Sequence, residues 1–99
     1  MKIVTWNVQW FLGLDGRVDP ARVIAHARSL ADFDVLCVQE LADNFPDPRL
    51  EGNDDGDQFA KLAALLPGYT VVHGVGSDHP ADDGRRRCFG NAIASRLPV

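Results

Sequence analysis

A chain of 99 residues, 45% of them hydrophobic, is long enough for one small domain with a real core and too short for two. Its 14 acidic and 10 basic residues give a net charge of −4, the wrong sign for clamping nucleic-acid phosphates by charge alone. A phosphate substrate would therefore need a cation as intermediary, and no stretch of the sequence approaches the length of a transmembrane helix.

The cysteines and the amino terminus indicate the compartment. Cys37 and Cys88 lie inside apolar stretches, and the start MKIVTW lacks both a long apolar run and a small-residue cleavage site. We therefore expect a reduced, cytoplasmic protein with two buried thiols. A disulfide between neighbouring strands is the alternative that this pattern leaves open.

The first forty residues have the pattern of a β-α-β unit. Alternating apolar residues predict a strand over 2–8, and a nearly continuous apolar run predicts another over 34–39. Between them, Asp19 can cap a helix over 20–31, and Pro20 suits its first turn. A crossover of this kind makes the two strands parallel.

The remaining residues predict a second helix and two more strands. The segment 41–56 is rich in Asp, Asn, Pro and Gly, which indicates a long surface loop, and its EGNDDGD is better explained as a turn than as a calcium loop. Asp57 can cap a helix over 58–66. Strands are predicted over 69–74 and 88–95, joined by the polar loop GSDHPADDGRRR. Four strands and two helices would leave one broad face of the sheet uncovered, so we expect a partner there or a longer chain.

Two polar residues follow the strands of the predicted β-α-β unit. Asn7 and Glu40 stand at the carboxyl ends of parallel strands, where open α/β sheets bind ligands. A carboxylate is a hard oxygen ligand for Mg²⁺ or Mn²⁺, and an amide can orient a phosphate or a water. The alternative is that Asn7 bonds the loop backbone and Glu40 is a solvated loop residue.

Three blocks of sequence, in order, carry a resemblance to a known family. TWNVQW, VLCVQEL and FGNAIASRLPV resemble the amino-terminal half of the endonuclease/exonuclease/phosphatase family, which is DNase I-like. The resemblance spans essentially all of 1–99 and implies a partial domain, truncated at its carboxyl end. The implied fold class is α/β: the first half of a two-sheet β-sandwich flanked by helices, in an α/β/β/α arrangement.

The resemblance also implies an activity and a set of site residues. The family hydrolyses phosphoesters with a divalent metal, so the chain is expected to be the first half of such a hydrolase and to be inactive by itself. Glu40 matches the family's metal-binding glutamate, for Mg²⁺ or Mn²⁺, and Asn7 matches its active-site asparagine. Asn91 lies in a strand that lines the same cleft. Gln9 departs from members that place a further acid there.

Other residues near the predicted cleft have two interpretations each. Arg85, Arg86 and Arg87 form the basic run of the chain, either a solvated loop face or a contact to substrate phosphate. Trp10 either packs at the edge of the cleft or stacks on a substrate ring. The triplet Ser-Asp-His at 77–79 lies in a predicted loop, and we do not give it the role of the family's closing motif.

The substrate class stays open at this stage. Nucleic acid, a phosphoinositide, a sphingolipid and a small nucleotide are all compatible with the resemblance, and the oligomeric state is not predicted. The competing hypothesis is a non-catalytic remnant or binding module that keeps the half-fold. The residues that prepare water in this family lie in its second half, so the downstream sequence would separate the two hypotheses.

Overall fold

A computed structural model describes residues 1–44, 56–80 and 84–98. These residues form one mixed sheet with helices packed on one of its faces. In chain order the elements are β1 (Ile3–Asn7), α1 (Pro20–Leu30), β2 (Val35–Asp43), α2 (Gln58–Leu65), β3 (Thr70–Pro80) and β4 (Arg86–Ser95). Within the described ranges no helix is both long enough and apolar enough to cross a membrane.

Both helices begin where the sequence predicts. The Asp19 carboxylate accepts a hydrogen bond from the Arg22 backbone N–H at 3.1 Å, and Pro20 occupies the first helical position of α1. The Asp57 carboxylate accepts from the N–H groups of Phe59 and Ala60, at 2.9 and 3.2 Å. Each cap satisfies backbone donors that the first turn leaves unpaired, a contribution of about 1 kcal/mol.

The sheet has the strand order β1-β2-β4-β3. β1 and β2 run parallel, which confirms the β-α-β prediction, and the other two pairings are antiparallel. α1 and α2 cover one face and enclose the core together with the inward residues of the strands. Its most deeply buried large side chains are those of Phe11, Phe33, Leu36, Val38, Leu41, Leu62 and Leu66.

The predicted end of the second strand is wrong. β2 continues to Asp43 rather than stopping at 39, and Leu41 and Ala42 are buried opposite Gly90 and Phe89 of β4. The predicted loop over 41–56 therefore starts later, because these apolar residues extend the pairing with β4. The rest of that loop, and most of the EGNDDGD segment, lies outside the described residues.

The polar segment before β4 is also a strand over much of its length. β3 extends to Pro80 and β4 begins at Arg86, so the loop prediction is wrong for 76–80 and for 86–87. The pairing of β3 with β4 continues to the end of both strands, and the Arg86 guanidinium bonds the Asp78 carboxylate across it at 2.8 Å. His79, which belongs to the triplet predicted to lie in a loop, is an exposed residue of β3.

The face of the sheet opposite the helices is exposed, as predicted. We call it the open face. Side chains alternate along a strand, so it presents the residues between those that pack on the core. Several of its apolar residues are half exposed or more, among them Ile3 at 58%, Val72 at 59% and Ile93 at 50%. The open face consists of Ile3, Thr5, Asn7, Val35, Cys37, Gln39, Thr70, Val72, Gly74, Asn91, Ile93 and Ser95.

Both cysteines lie in the described part of the chain, and both are free. Cys37 is opposite Ile93, and Cys88 is opposite Asp43, so the register keeps the two sulfurs apart. The structure therefore has two thiols and not the disulfide that the sequence left open. The prediction of two buried thiols is wrong in degree, since both are only partly buried. Cys37 lies on the open face, and Cys88 lies near the hairpin end of the sheet.

Candidate functional site

The open face carries a row of polar residues at the end of the sheet where β1 stops. Asn7 pairs with Gln39 across the parallel strands, and Asn91 pairs with Gly74 across β3 and β4. Val38 is opposite Ala92, so the next positions, Gln39 and Asn91, adjoin each other. Neighbouring strands are about 4.8 Å apart, which puts Asn7 and Asn91 on backbones roughly 10 Å apart. The structure thus brings these two predicted residues to one row, called here the amide row (Asn7, Gln39 and Asn91).

Glu40 lies beside this row at a bulge in β2. Val38 is opposite Ala92 and Leu41 is opposite Gly90, so two β2 residues, Gln39 and Glu40, share a single partner position in β4. Both Val38 and Leu41 are buried on the core face, and the two residues between them lie off it. The expectation that Glu40 ends its strand is wrong, since β2 continues to Asp43. The bulge nevertheless places Glu40 next to the amide row.

The conformation and environment of Glu40 are unusual. Its φ is 62°, in the left-handed region that costs an L-residue about 1–2 kcal/mol and that glycine adopts freely. Its carboxylate makes no hydrogen bond or ion pair in the described ranges of the chain. Within the described residues, the strain at Glu40 is offset by the burial of Val38 and Leu41 on either side of it and not by a contact of its own carboxylate.

Asn7 holds the turn that follows β1. Its Oδ1 accepts a hydrogen bond from the Gln9 backbone N–H at 3.1 Å, so the loop-bonding role that the sequence allowed is present. The turn, Gln9–Phe11, has φ values of 45°, 44° and 61° at its three residues. Phe11 is fully buried and anchors this turn in the core. The exposed Asn7 amide can serve this turn and still present its NH₂ group to a ligand.

Two glutamines near the site were missed by the sequence analysis. Gln39 lies in the amide row, and its Nε2 donates to the Thr5 hydroxyl of β1 at 3.1 Å. Its position on the open face could have been found from its alternation with Cys37. Gln58 bonds the backbone on both sides of the site and is buried on α2. The signal for Gln58 is a polar residue four positions before Leu62 on an apolar helix stripe.

The three arginines do not converge on the amide row. The Arg85 guanidinium lies 3.8 Å from the Asp43 carboxylate, and Arg86 is paired with Asp78. Burial and the nearby Asp57 carboxylate raise the pKa of Asp43, and Arg85 opposes this effect. Arg87 is four residues from Asn91 along β4, roughly 13 Å. The run therefore lies along the hairpin that leads away from the site.

The aromatic residues near β1 pack mostly on the core. Trp6 contacts the core and meets the His26 ring edge-on, with centroids 5.5 Å apart. Trp10 is partly buried against the core, and its ring lies 6.4 Å from that of Phe89. The edge-packing interpretation of Trp10 is thus present in the structure. Its stacking on a substrate ring stays a prediction.

The donors at the site match part of a magnesium shell. Within the described ranges, no group of three or more His, Cys, Asp or Glu side chains is arranged to hold a metal. The site offers the Glu40 carboxylate, with the amide row at neighbouring positions on the sheet. Mg²⁺ is commonly held by one or two carboxylates, with phosphate oxygens and waters completing the octahedron. The residues present fit that pattern as one contributor to a shell.

Two solved structures are similar to this chain. One is the crystal structure of an endonuclease/exonuclease/phosphatase from Beutenbergia cavernae, with a TM-score of 0.71 and 31% identity over 97% of this chain. The fold is that of the endonuclease/exonuclease/phosphatase family. A family protein from Leptotrichia buccalis gives a TM-score of 0.57 and 19% identity over all of this chain, and supports the fold alone.

The family resemblance inferred from the three sequence blocks is therefore confirmed. This chain spans 26% of the Beutenbergia protein and 39% of the Leptotrichia protein, in keeping with an amino-terminal part of a family domain. No family model matches the sequence, and no curated protein matches it. The α/β fold with helices on one face of the sheet agrees with the predicted fold class.

Proposed function

We propose that this chain supplies part of the active site of a divalent-metal-dependent phosphoester hydrolase. The observation that carries the proposal is the carboxylate of Glu40, which has no hydrogen bond or ion pair among the described residues and is held in a left-handed bulge beside the amide row. The similarity to a family phosphoesterase fold over nearly the whole chain supports it. The bulge keeps Val38 and Leu41 in the core and leaves Glu40 off the core face, next to the amide row.

In this proposal each residue has a distinct task. Glu40 provides a carboxylate ligand to Mg²⁺ or Mn²⁺, and the bound cation would neutralise the charge that builds up on phosphoryl oxygens. Asn7 and Asn91 donate from their amides to phosphate oxygens or to a water. Gln39, tied to Thr5, fixes the spacing of β1 and β2 beneath them. Without further acids and a histidine from elsewhere, these residues lack a general base.

The substrate is proposed at the level of its class. A phosphodiester or phosphomonoester fits the site, whether it comes from nucleic acid, a phosphoinositide, a sphingolipid or a small nucleotide. The net charge of −4 argues against tight electrostatic binding of long nucleic acid by this part of the protein. Arg85, Arg86 and Arg87, which lie along the hairpin beyond the site, are proposed as contacts to more distant parts of a substrate.

The free thiols favour a reduced setting. Neither Cys37 nor Cys88 forms a disulfide, and we propose a cytoplasmic location on that ground. A thiol-specific label applied to protein released gently from cells would react with both cysteines if this is so. Protection of both thiols until a reductant is added would contradict it.

The test of the proposed function uses the full natural chain that contains these residues. It is assayed against a diester of nucleic acid, a phosphoinositide, sphingomyelin and a nucleotide, with Mg²⁺, with Mn²⁺ and with a chelator. Hydrolysis of at least one substrate with metal, lost on chelation and restored on adding metal back, supports the proposal. No hydrolysis of any phosphoester under any metal would favour the alternative, a non-catalytic binding module.

A further inference from the structure

Gln58 is a buried polar residue on the core face of α2. It is 5% exposed, and it lies on the same stripe as Leu62 and Leu66, which are fully buried. An amide in such a place costs free energy unless its hydrogen bonds are made. Its presence on an otherwise apolar stripe therefore needs a reason.

Both ends of the Gln58 side chain are bonded to backbone. Its Oε1 accepts a hydrogen bond from the Ala42 N–H at 3.0 Å, and its Nε2 donates to the Trp10 carbonyl oxygen at 2.9 Å. Ala42 lies two residues after Glu40, and Trp10 lies three residues after Asn7. One side chain thus connects the segment that follows each of the two proposed site residues.

Both segments have strained backbone. The turn after Asn7 has positive φ at Gln9, Trp10 and Phe11, and the bulge has positive φ at Glu40. Non-glycine residues keep such conformations only when the surrounding structure over-determines them. The hydrogen bond from the Val8 N–H to the Gln39 carbonyl, at 3.1 Å, joins the same two segments at a second point.

We infer that Gln58 is a positioning residue that holds Asn7 and Glu40 at a fixed separation. This inference rests on the proposed function for its catalytic consequence, and on the two hydrogen bonds for its structural one. An amide is required because it both donates and accepts, whereas an ionised carboxylate only accepts and a thioether does neither well. Loss of either bond would leave a backbone group unpaired in the interior.

The structural arm of the test measures backbone amide resonances by NMR in the full natural chain. Gln58→Met keeps the length of the side chain and removes both hydrogen bonds. The resonances of Asn7 and of Glu40 are both expected to shift away from their wild-type positions. Leu62→Ala is the matched control, since it leaves a cavity one turn further along α2 without touching either bond, and it should leave both resonances close to wild type.

A second variant keeps the test informative if Gln58→Met folds poorly. Gln58→Glu retains an acceptor for the Ala42 N–H and loses the donor to the Trp10 carbonyl. Resonances of the turn at 9–11 should therefore move more than those at 40–42. Wild-type positions for Asn7 and Glu40 in every folded Gln58 variant, or shifts of equal size in Leu62→Ala, would overturn the inference.

The kinetic arm separates this inference from the proposed function. A misplacement of about 1 Å in an active site can cost roughly 10²-fold in rate, so kcat of Gln58→Met is expected to fall by about 10- to 100-fold per folded molecule. Leu62→Ala should keep its kcat at a temperature where it is folded. Unchanged kcat in an active protein would refute positioning by Gln58 and leave the proposed function intact. A wild type without turnover would refute the function, and the resonances would then decide on Gln58 alone.

Discussion

Asn7 of β1 stands directly opposite Gln39 of β2, so Glu40 is one residue beyond the partner of Asn7. In a regular strand this offset would send the Glu40 side chain to the core face. The bulge removes that conflict by giving Gln39 and Glu40 one shared position against β4. Asn7 and Glu40 therefore occupy neighbouring positions at the end of the sheet where β1 stops.

The left-handed conformation of Glu40 predicts an unusual effect on stability. Glu40→Gly relieves a strain of about 1–2 kcal/mol and adds the entropy cost of glycine, about 0.5–1 kcal/mol. The free energy of unfolding should therefore stay level or rise by up to about 1.5 kcal/mol, although most substitutions lower it. Urea denaturation measures the change.

Gln39→Gly is the matched control for that measurement. Gln39 is the neighbouring residue of the same strand, and its φ is not positive. Here glycine brings its entropy cost and also removes the hydrogen bond to Thr5, so stability should fall by about 1–2 kcal/mol. Equal losses in the two variants would mean that Glu40 is not strained.

The close approach of β3 and β4 beside Asn91 predicts that Gly90 is required. A Cβ at Gly90 would overlap the Gly74 carbonyl oxygen and lie 2.9 Å from the Gly76 nitrogen. Gly90→Ala should therefore lower the free energy of unfolding by about 1–3 kcal/mol, as overpacking does. Gly74→Ala is the control, because its Cβ would meet only the Asn91 carbonyl oxygen, at 3.8 Å. A thermal unfolding midpoint of Gly90→Ala that is equal to or higher than that of Gly74→Ala would contradict this packing.

An ion pair in the loop between β1 and α1 is expected to make the stability of the protein depend on pH in the acid range. The two-pronged hydrogen bond from Arg22, at 2.7 and 3.0 Å, helped by the Arg17 N–H, lowers the pKa of Asp15 from 3.8 to about 2. A carboxyl whose pKa is lower in the folded protein contributes stability above its unfolded pKa and loses it as pH falls. The contribution should be complete above about pH 4 and fade towards pH 2.

Arg22→Met isolates that contribution. The pKa of Asp15, followed by NMR titration, should return towards 3.8, and the stability gap between wild type and variant should shrink as pH falls from 4 to 2. Arg28→Met serves as control, since the Arg28 guanidinium donates to the Leu65 carbonyl oxygen and not to a carboxylate. A stability difference between wild type and Arg22→Met that stays constant from pH 4 to pH 2 would show that the Asp15–Arg22 pair has no role in acid sensitivity.

Much of the fold could be predicted because local chemistry determines it. Asp19, Pro20 and Asp57 mark both helix starts, and apolar periodicity identifies the strand segments but not their order in the sheet. The hairpin extension was missed because Asp78 and Arg86 are typical loop residues when read singly. They become strand residues through a cross-strand pair that a linear reading does not see.

The site could be predicted only in part, and the resemblance contributed most of it. Asn7 and Glu40 were predicted to be neighbours at the carboxyl ends of two parallel strands; their positions are neighbouring, but β2 continues past Glu40 to Asp43. A bulge follows from long-range register, in which Leu41 must reach the core opposite Gly90, and no local pattern encodes it. Gln58 was missed because its partners, Trp10 and Ala42, are distant in sequence.

The central claim of the proposed function is that the negatively charged carboxylate of Glu40 binds the metal. Glu40→Gln in the full natural chain keeps the shape of the side chain and removes the negative charge of the ligand. Asp32→Asn is the matched control, because it removes one charge from a side chain that is 80% exposed. Asp32 precedes β2, at the end of the sheet opposite the amide row.

The decisive measurement is phosphoester hydrolysis across a Mg²⁺ titration for wild type, Glu40→Gln and Asp32→Asn. Metal clamps supply several kcal/mol of transition-state stabilisation, and 1.36 kcal/mol is a factor of ten in rate. We expect Glu40→Gln to be slower by about 10²-fold or more and to need more Mg²⁺, with its fold intact and with Asp32→Asn close to wild type. Equal rates for Glu40→Gln and wild type at every Mg²⁺ concentration would show that Glu40 does not bind the metal.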